Sequence, residues 1–331
     1  MKRILLVAAV LLLVVAFCLP MFTFVSCARK KVIVIYTSSE DYRVEYYQKR
    51  LNEEFPEYRI ILEYKTTGDH AASLKAAGSK TECDISYEME YTLAAELAEL
   101  GVYADLADYA DFSVYVDGAV ESTYYLPAYR SGGAVVLNMD VIREKGLDVP
   151  TSYEDLLDPQ YKNLISMPNP KSSGTGYIYL LNLVNSMGED AAFEYFDRLE
   201  DNVLTFTSSG SGPVNALVNK EVAVGLGLTA LAVNKINEGV NLKTVYFEEG
   251  SPYTLYAMGV IAGKETDEDV MRVFKFLEEV LNVENCERYY PEKILRDRDF
   301  EIENYPKNIV YGDMSNNTPA RKRELLDKWR Y

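Results

Sequence analysis

The sequence is poor in the residues that most enzymes and metal sites use. Its 331 residues include one histidine, one tryptophan and four cysteines. The motifs GxSxG, HExxH, Walker A and GxGxxG are missing, and a single histidine leaves little scope for a Ser/His triad. Cys83 and Cys286 lie outside any CxxC or histidine-bearing cluster, which argues against structural zinc. These absences favour a protein that is not an enzyme and that uses neither a metal nor a cofactor.

Basic residues are outnumbered by acidic ones, 34 Lys and Arg against 51 Asp and Glu, and the formal net charge at pH 7 is −17. Binding to a nucleic-acid backbone needs clustered lysine and arginine, so we exclude nucleic acid as a partner. An anionic small molecule is not excluded, because surface charges are screened over roughly 8 Å at physiological salt. Donor groups inside a cleft then decide what is bound.

The N-terminus has the pattern of an export signal. Two basic residues precede the apolar run Ile4–Leu19, which is followed by "PMFTFVSCARKK". We predict a signal peptide over residues 1–26. The segment "FVSC" resembles a bacterial lipobox, which makes Cys27 the predicted lipidated residue, although Phe24 stands where that motif usually has leucine. The alternative is an uncleaved membrane anchor over Ile4–Val25. In both cases the chain is expected to be exported and tethered to the membrane.

Strand-like and helix-like apolar patterns alternate after Lys31, which predicts an α/β fold with a largely parallel sheet. Besides two longer extended runs, the predicted strands are Val32–Tyr36, Arg59–Tyr64, Val203–Phe206, Val222–Leu228 and Leu242–Phe247. The predicted helices are Asp41–Phe55, Ala71–Ala77, Thr92–Leu100, Gly188–Glu200, Val214–Lys220, Ala230–Glu238 and Asp267–Leu281. Two extended runs, Tyr129–Asn138 and Tyr253–Ala262, bracket a self-contained α/β unit. Such an arrangement predicts a second lobe inserted into the first through a two-strand hinge. We place lobe 1 at residues 31–127 plus 257–331 and lobe 2 at residues 128–256.

Four loops share one layout, in which an apolar strand is followed by a serine- or threonine-rich turn and then a helix. The loops are "YTSSEDY", "KTTGDHA", "PNPKSSGTGY" and "TSSGSGPVNAL". Loops at the carboxyl ends of parallel strands bind ligands in open α/β folds, and clefts between domains are favoured sites. Free N–H groups and hydroxyls at helix starts suit an anion, although plain helix capping is the alternative. The candidate donors are Ser38, Ser39, Thr67, Gly68, Ser172, Ser173, Gly174, Thr175, Ser208, Ser209 and Ser211.

A few further residues are candidates for the cleft. Tyr87 or Glu88 follows a strand and can project toward hydroxyls or an ammonium group of the ligand. Tyr129 lies at the presumed hinge beside Arg130, which either clamps a phosphate or forms an ion pair, and we favour the ion pair. His70 stands at a predicted helix start, where a surface position is commoner than ligand contact.

The two cysteines that remain beyond Cys18 and Cys27 allow two interpretations. Cys83 and Cys286 can form a disulfide in an exported protein, or each can be a small buried thiol. The apolar surroundings of both residues in the sequence favour free, buried thiols.

Taken in order, the segments "KVIVIYTSSEDY", "AYRSGGAVVLN", "NPKSSGTGYIYLLNL", "TSSGSGPVNALVNKEVAVGLG" and "YAMGVIAGKETDEDV" resemble the extracellular solute-binding proteins of ABC importers. The similarity is to the branch that includes ferric-iron, phosphonate and sugar-phosphate binders. It implies a two-lobe type II binding fold that works as a monomer and delivers a solute to an ABC permease and its ATPase. In phosphate- and phosphonate-binding members, loops matching Ser172–Thr175 and Ser208–Ser211 supply the donors, which implies a small anionic solute.

Three alternatives to an anion carrier follow from the same sequence. Iron-binding relatives carry a tyrosine doublet after the strand that here reads "VAVGLGL", but this chain has Thr229–Leu231 there, which weakens a ferric-ion carrier. The doublet Tyr289 and Tyr290 is interpreted as packing. An exported phosphate-ester hydrolase and an adhesive surface lipoprotein are the remaining alternatives.

Overall fold

The computed structural model describes residues 30–331. The predicted signal peptide, residues 1–26, and the predicted lipidation site Cys27 lie outside these residues. Within the described range, no helix is both long and apolar enough to cross a membrane.

The first part of the described chain alternates strands and helices, as its apolar pattern predicts. Strands β1 to β3 cover Val32–Thr37, Arg59–Tyr64 and Ile85–Glu90, and helices α1 to α3 cover Asp41–Glu54, Thr67–Ala77 and Tyr91–Glu99. Every residue of β3 is buried, as is typical of a strand covered on both faces. Helix α2 begins four residues earlier than the predicted Ala71, because the Thr66 hydroxyl accepts a hydrogen bond from the Asp69 N–H and caps it.

The middle part continues the alternation after a long strand. Strands β4 to β9 cover Leu126–Asn138, Ile165–Pro168, Val203–Thr207, Val224–Leu228, Leu242–Val245 and Tyr253–Val260. Helices α4 to α8 cover Met139–Lys145, Gly174–Met187, Glu189–Leu199, Gly212–Val218 and Thr229–Asn237. Most of these bounds lie within two residues of the predicted ones.

The C-terminal part differs more from the prediction. The helix expected over Asp267–Leu281 consists of α9, Glu268–Phe276, a π-helical turn, Leu277–Leu281, and α10, Asn282–Arg288. A further helix, α11, covers Pro319–Lys328 and was not predicted.

The strands form one sheet in the order β2-β1-β3-β9-β4-β7-β5-β6, with β8 paired to β4. Strands β1, β2 and β3 are parallel to one another, as are β5, β6 and β7. Strand β4 pairs with β9 from Leu126 to Gly132 and with β7 from Gly133 onward. The antiparallel pair β4 and β9 therefore joins the two parallel parts of the sheet.

Two large cores lie on either side of this pair. One contains Ile33, Ile85 and Phe274, and the other contains Leu137, Ile165 and Phe196. Leu325 and Trp329, from and just after α11, pack in the second core, although the predicted boundaries assign them to lobe 1. The lobe boundaries stay a prediction.

Candidate functional site

The four donor-rich loops meet around one cavity of about 430 Å³, measured with its open mouth. Each loop follows the carboxyl end of a parallel strand, namely β1, β2, β5 and β6. The cavity is lined by Ser38, Glu40, Tyr64, Thr66, Thr67, Tyr129, Ser131, Ser172, Ser173, Thr175, Ser209, Gly210, Ser211, Leu228, Tyr256 and Tyr290. Eight of the fourteen candidate ligand residues are in this set: Ser38, Thr67, Tyr129, Ser172, Ser173, Thr175, Ser209 and Ser211.

The loop before α5 combines capping with an open donor position. The Ser173 Oγ atom accepts a hydrogen bond from the Gly176 N–H at 3.3 Å and caps the helix. That bond uses an oxygen lone pair and leaves the hydroxyl hydrogen free to be donated to a ligand. Thr175 is almost fully buried and contacts the Tyr256 hydroxyl. Capping and ligand binding are thus compatible in this loop.

The two donor loops after β1 and β2 contact the two donor loops after β5 and β6. The Gly68 N–H donates to the Ser172 carbonyl oxygen at 3.2 Å, and the Tyr64 and Ser209 side chains lie beside each other in the cavity lining. The cavity is therefore closed over by loops from both sides of the β4–β9 pair.

Some candidate donors do not line the cavity. Ser39 is fully buried, and its hydroxyl bonds to the Thr37 hydroxyl at 2.6 Å. Gly68 and Gly174 lie where another part of the chain packs closely against the backbone. A Cβ on Gly68 would lie 3.1 Å from the Lys171 carbonyl oxygen. Ser208 is exposed and lies outside the cavity.

Tyr87 and Glu88 do not project into the cavity, in contrast to the sequence-based expectation. The pairing of β3 with β9 shifts register between Tyr87 and Met89, and Glu88 has a positive φ of 62°. This bulge turns the Glu88 carboxylate into the interior. There it accepts hydrogen bonds from Arg43 Nη1 at 2.7 Å, the Tyr47 hydroxyl at 3.0 Å and the Tyr129 hydroxyl at 2.9 Å.

Three of the cavity's tyrosines form a stack. The ring centroid of Tyr129 lies 3.9 Å from that of Tyr290 and 5.1 Å from that of Tyr256. Burial raises the pKa of all three phenols well above the usual value, so they are neutral hydrogen-bonding groups at neutral pH. Tyr256 and Glu40 were not predicted, and Tyr290 was assigned to packing. Nothing in the local sequence distinguishes Tyr256 and Tyr290 from the other tyrosines of the chain.

Comparison with known proteins assigns the chain to a family. The sequence profile of the bacterial extracellular solute-binding proteins matches residues 93–292, which is more than half of the chain.

The protein belongs to that family.

Three individual proteins illustrate the similarity. An uncharacterised protein of Haemophilus influenzae is 26% identical over 244 residues, 72% of this chain and 70% of its own length. A protein of Salmonella typhi, named as a candidate 2-aminoethylphosphonate-binding periplasmic protein, is 26% identical over 160 residues, 46% of each chain. The periplasmic binding protein AfuA from Actinobacillus pleuropneumoniae, solved with fructose-6-phosphate, superimposes with a TM-score of 0.79 at 21% identity, covering 91% of this chain and 98% of AfuA. This likeness confirms the predicted two-lobe α/β fold of type II periplasmic binding proteins.

In this solute-binding protein, one charged side chain lines the cavity, and its counter-charge lies behind the cavity wall. Among residues 30–331, no lysine or arginine lines the cavity, and Glu40 is the acidic residue that does. The Glu40 carboxylate accepts a hydrogen bond from Arg43 Nε at 2.6 Å, so its charge is balanced from behind. Arg130 lies outside the cavity and forms the favoured type of contact, an ion pair, with Nη1 3.9 Å from the Glu292 carboxylate.

His70, Cys83, Cys286 and Tyr289 all lie outside the cavity lining. The surface position expected for His70 is wrong, since the ring is fully buried between two serines. Within the described chain, Cys83 and Cys286 are both buried and unpaired, as favoured. Tyr289 packs edge-on against Tyr42. Residues 30–331 contain no cluster of three or more His, Cys, Asp or Glu side chains suited to a metal ion.

Proposed function

We propose that this family member is the solute-binding component of an ABC importer, and that its solute carries a phosphate or phosphonate group. One observation carries the proposal: hydroxyls from four loops, two on each side of the hinge strands, converge on a single cavity. The unprotonated oxygens of a phosphate or phosphonate group accept hydrogen bonds, and the cavity offers serine, threonine and tyrosine hydroxyls as donors. The names of the Salmonella typhi relative and of the AfuA complex support the same class of ligand.

The strength of the donor set suits reversible capture. A hydrogen bond to a charged group contributes about 1.5–3 kcal/mol. Four or five such bonds, less the costs of closure and association, correspond to binding near the micromolar range, about −8 kcal/mol. Closure of the two lobes around the solute then presents one surface to the permease.

The proposal also covers the location, oligomeric state and partners of the protein. We propose that the protein is exported, anchored through a lipid on Cys27 and active as a monomer beside its permease and ATPase. No residue of the cavity is proposed to act as a catalyst.

A ferric-ion carrier is disfavoured by the carboxylates available at the cavity. Ferric ion binds anionic oxygen ligands, and among residues 30–331 Glu40 is the acidic residue that lines the cavity. Glu40 is already paired with Arg43. A yellow-to-red charge-transfer band on addition of ferric salt would contradict this reasoning.

Thr175→Val tests the proposed site, with Ser208→Ala as the matched control. Thr175 lines the cavity without capping its helix, and valine keeps its shape while removing the donor. The first step of the test is to identify, by native mass spectrometry, the ligand that co-purifies with the full-length protein. Thermal shifts with phosphonates, sugar phosphates and ferric salts support that identification. Thr175→Val is expected to weaken calorimetric affinity at least tenfold, and Ser208→Ala to leave it within twofold. Equal affinities for the two variants would contradict the site.

A further inference from the structure

The chain's only histidine lies directly behind the cavity. His70 is fully buried in helix α2. Its Nδ1 atom lies 3.2 Å from the hydroxyl oxygen of Ser38, which lines the cavity, and its Nε2 atom lies 3.0 Å from the hydroxyl oxygen of Ser86. The Ser86 oxygen also accepts a hydrogen bond from the Tyr103 hydroxyl at 2.8 Å. Four side chains thus form one chain of contacts that ends at the solute cavity.

The directions of these hydrogen bonds can be assigned by starting from Tyr103, at the end of the chain of contacts opposite the cavity. In the described residues, Ser86 is the hydrogen-bond partner of the buried Tyr103 hydroxyl, so Tyr103 must donate. If Nε2 also donated to Ser86, the Ser86 hydrogen would have no acceptor, which is costly in a fully buried residue. Ser86 therefore donates to Nε2, and the hydrogen of the neutral ring lies on Nδ1.

The surroundings keep the ring neutral. Burial, reinforced by the nearby Lys65 ammonium, lowers the pKa of His70 to about 3. The ring also packs edge-on against Tyr36, with centroids 5.9 Å apart. At neutral pH His70 thus has one donor nitrogen and one acceptor nitrogen, and the donor is Nδ1.

We propose that His70 is a positioning residue that fixes Ser38 as a hydrogen-bond donor to the solute. Because Nδ1–H donates to the Ser38 oxygen, the Ser38 hydrogen must point elsewhere, and the cavity is the open direction. The first-lobe loop then accepts a solute oxygen that bears lone pairs and disfavours a group that can only donate. The inference rests on the proposed binding of an oxyanion and adds selectivity for acceptor oxygens.

The tautomer can be measured without any ligand. Because the chain has one histidine, ¹⁵N NMR of the full-length protein labelled at histidine gives one pair of ring signals that need no assignment. A neutral ring with hydrogen on Nδ1, unchanged between pH 5 and 8, supports the proposal. Hydrogen on Nε2, or titration in that range, would overturn it whatever the protein binds.

Variants test the consequence for binding, with inorganic phosphate and 2-aminoethylphosphonate as probes. His70→Leu is expected to weaken binding of a probe about three- to tenfold, whereas His70→Asn, whose amide N–H can replace Nδ1–H, should keep affinity within about twofold. In a Ser38→Ala background, His70→Leu should cause no further loss. An additive loss would indicate a purely structural role and overturn the proposal.

A second perturbation covers the case in which His70→Leu fails to fold. Tyr103→Phe keeps the ring and removes the hydroxyl, which leaves Nε2 as the acceptor for the Ser86 hydrogen. Hydrogen is therefore expected to stay on Nδ1, and affinity for the same probes to stay within about twofold. A shift of hydrogen between the two ring nitrogens would overturn the assigned hydrogen-bond directions. If the unaltered protein binds neither probe nor any sugar phosphate, the proposed function fails, and the NMR result still reports separately on the hydrogen-bond chain.

Discussion

Replacing Gly68 with alanine tests whether the two halves of the protein close on each other at the loops seen here. Gly68 is the second residue of α2, and its N–H donates to the Ser172 carbonyl oxygen across the cavity mouth at 3.2 Å. An added Cβ would lie 3.1 Å from the Lys171 carbonyl oxygen, 3.2 Å from that of Ser172 and 3.3 Å from the Ser172 Cα. All three neighbours are backbone atoms, which cannot rotate away.

The expected loss of affinity depends on these distances and on the closed state, in which the two loops are in contact. Overpacking by one methyl group costs about 1–3 kcal/mol, and here the cost arises only when the loops of Gly68 and Ser172 are in contact. Within an open form, alanine is instead favoured in a helix by up to about 1 kcal/mol. The Gly68→Ala variant should therefore keep or gain stability without ligand, while its affinity falls about fivefold to more than a hundredfold.

The assay combines titration calorimetry on the co-purifying ligand with thermal unfolding of the ligand-free protein. Ser73→Ala in the same helix is the control, since Ser73 does not line the cavity, and it should change neither affinity nor closure. Affinity of Gly68→Ala within twofold of the original protein would show that the loops do not meet in the bound state, and the reasoning would be refuted.

Two further predictions concern stability. Glu88→Gln leaves Arg43 in the interior with Glu40 as its remaining carboxylate partner, and should cost about 3 kcal/mol in chemical denaturation, the lower part of the range for a broken buried pair; a loss below 1 kcal/mol would show that water reaches the site. Burial, with the neighbouring Glu279, raises the pKa of Glu278 to about 7, so the folded state holds a proton that the unfolded chain loses above about pH 4.5, and stability falls as pH rises from 4.5 to 7. Glu278→Gln should therefore be about 1–2 kcal/mol more stable at pH 8 after allowance for solvent screening, with no difference below pH 4.5, whereas the exposed Glu287→Gln should show no such pH dependence.

The sheet and most helices were predictable because their apolar residues repeat with the period of the element. Strand β2 has the predicted bounds Arg59–Tyr64, and helix Asp41–Glu54 ends one residue before the predicted Phe55. The unpredicted helix Pro319–Lys328 is mostly polar, and its buried Leu325, with the partly buried Leu326 and the following Trp329, packs in a core. Its apolar signal is too sparse to be recognised without the surface on which it packs.

The donor loops were predictable for a related reason, since their chemistry is local to each strand end. The residues behind and between them were not. The bulge at Glu88 depends on its pairing with β9, and Tyr290 reaches the cavity from a segment more than a hundred residues away from any donor loop except that of Ser211. The burial of His70 was not predicted because Ser86, its hydrogen-bond partner at Nε2, lies on strand β3, outside the helix that carries His70. Contacts of this kind are set by packing and leave no periodic trace in the sequence.

Under the proposed function, a strongly acidic chain holds an anion because the cavity presents neutral hydroxyl donors, while the cation Arg43 lies behind the cavity wall. Arg43, which lies against the rings of the cavity residues Tyr129 and Tyr290, is matched by Glu40 and Glu88, so this buried cation has no charge left over for a ligand. Neutral hydroxyls stabilise an oxyanion less than a desolvated arginine would, and their strength depends on orientation. Opening the cleft misaligns donors from both halves at once, so affinity falls steeply with a small displacement. For a carrier that must release its solute, this arrangement links release to lobe movement and needs no change in charge.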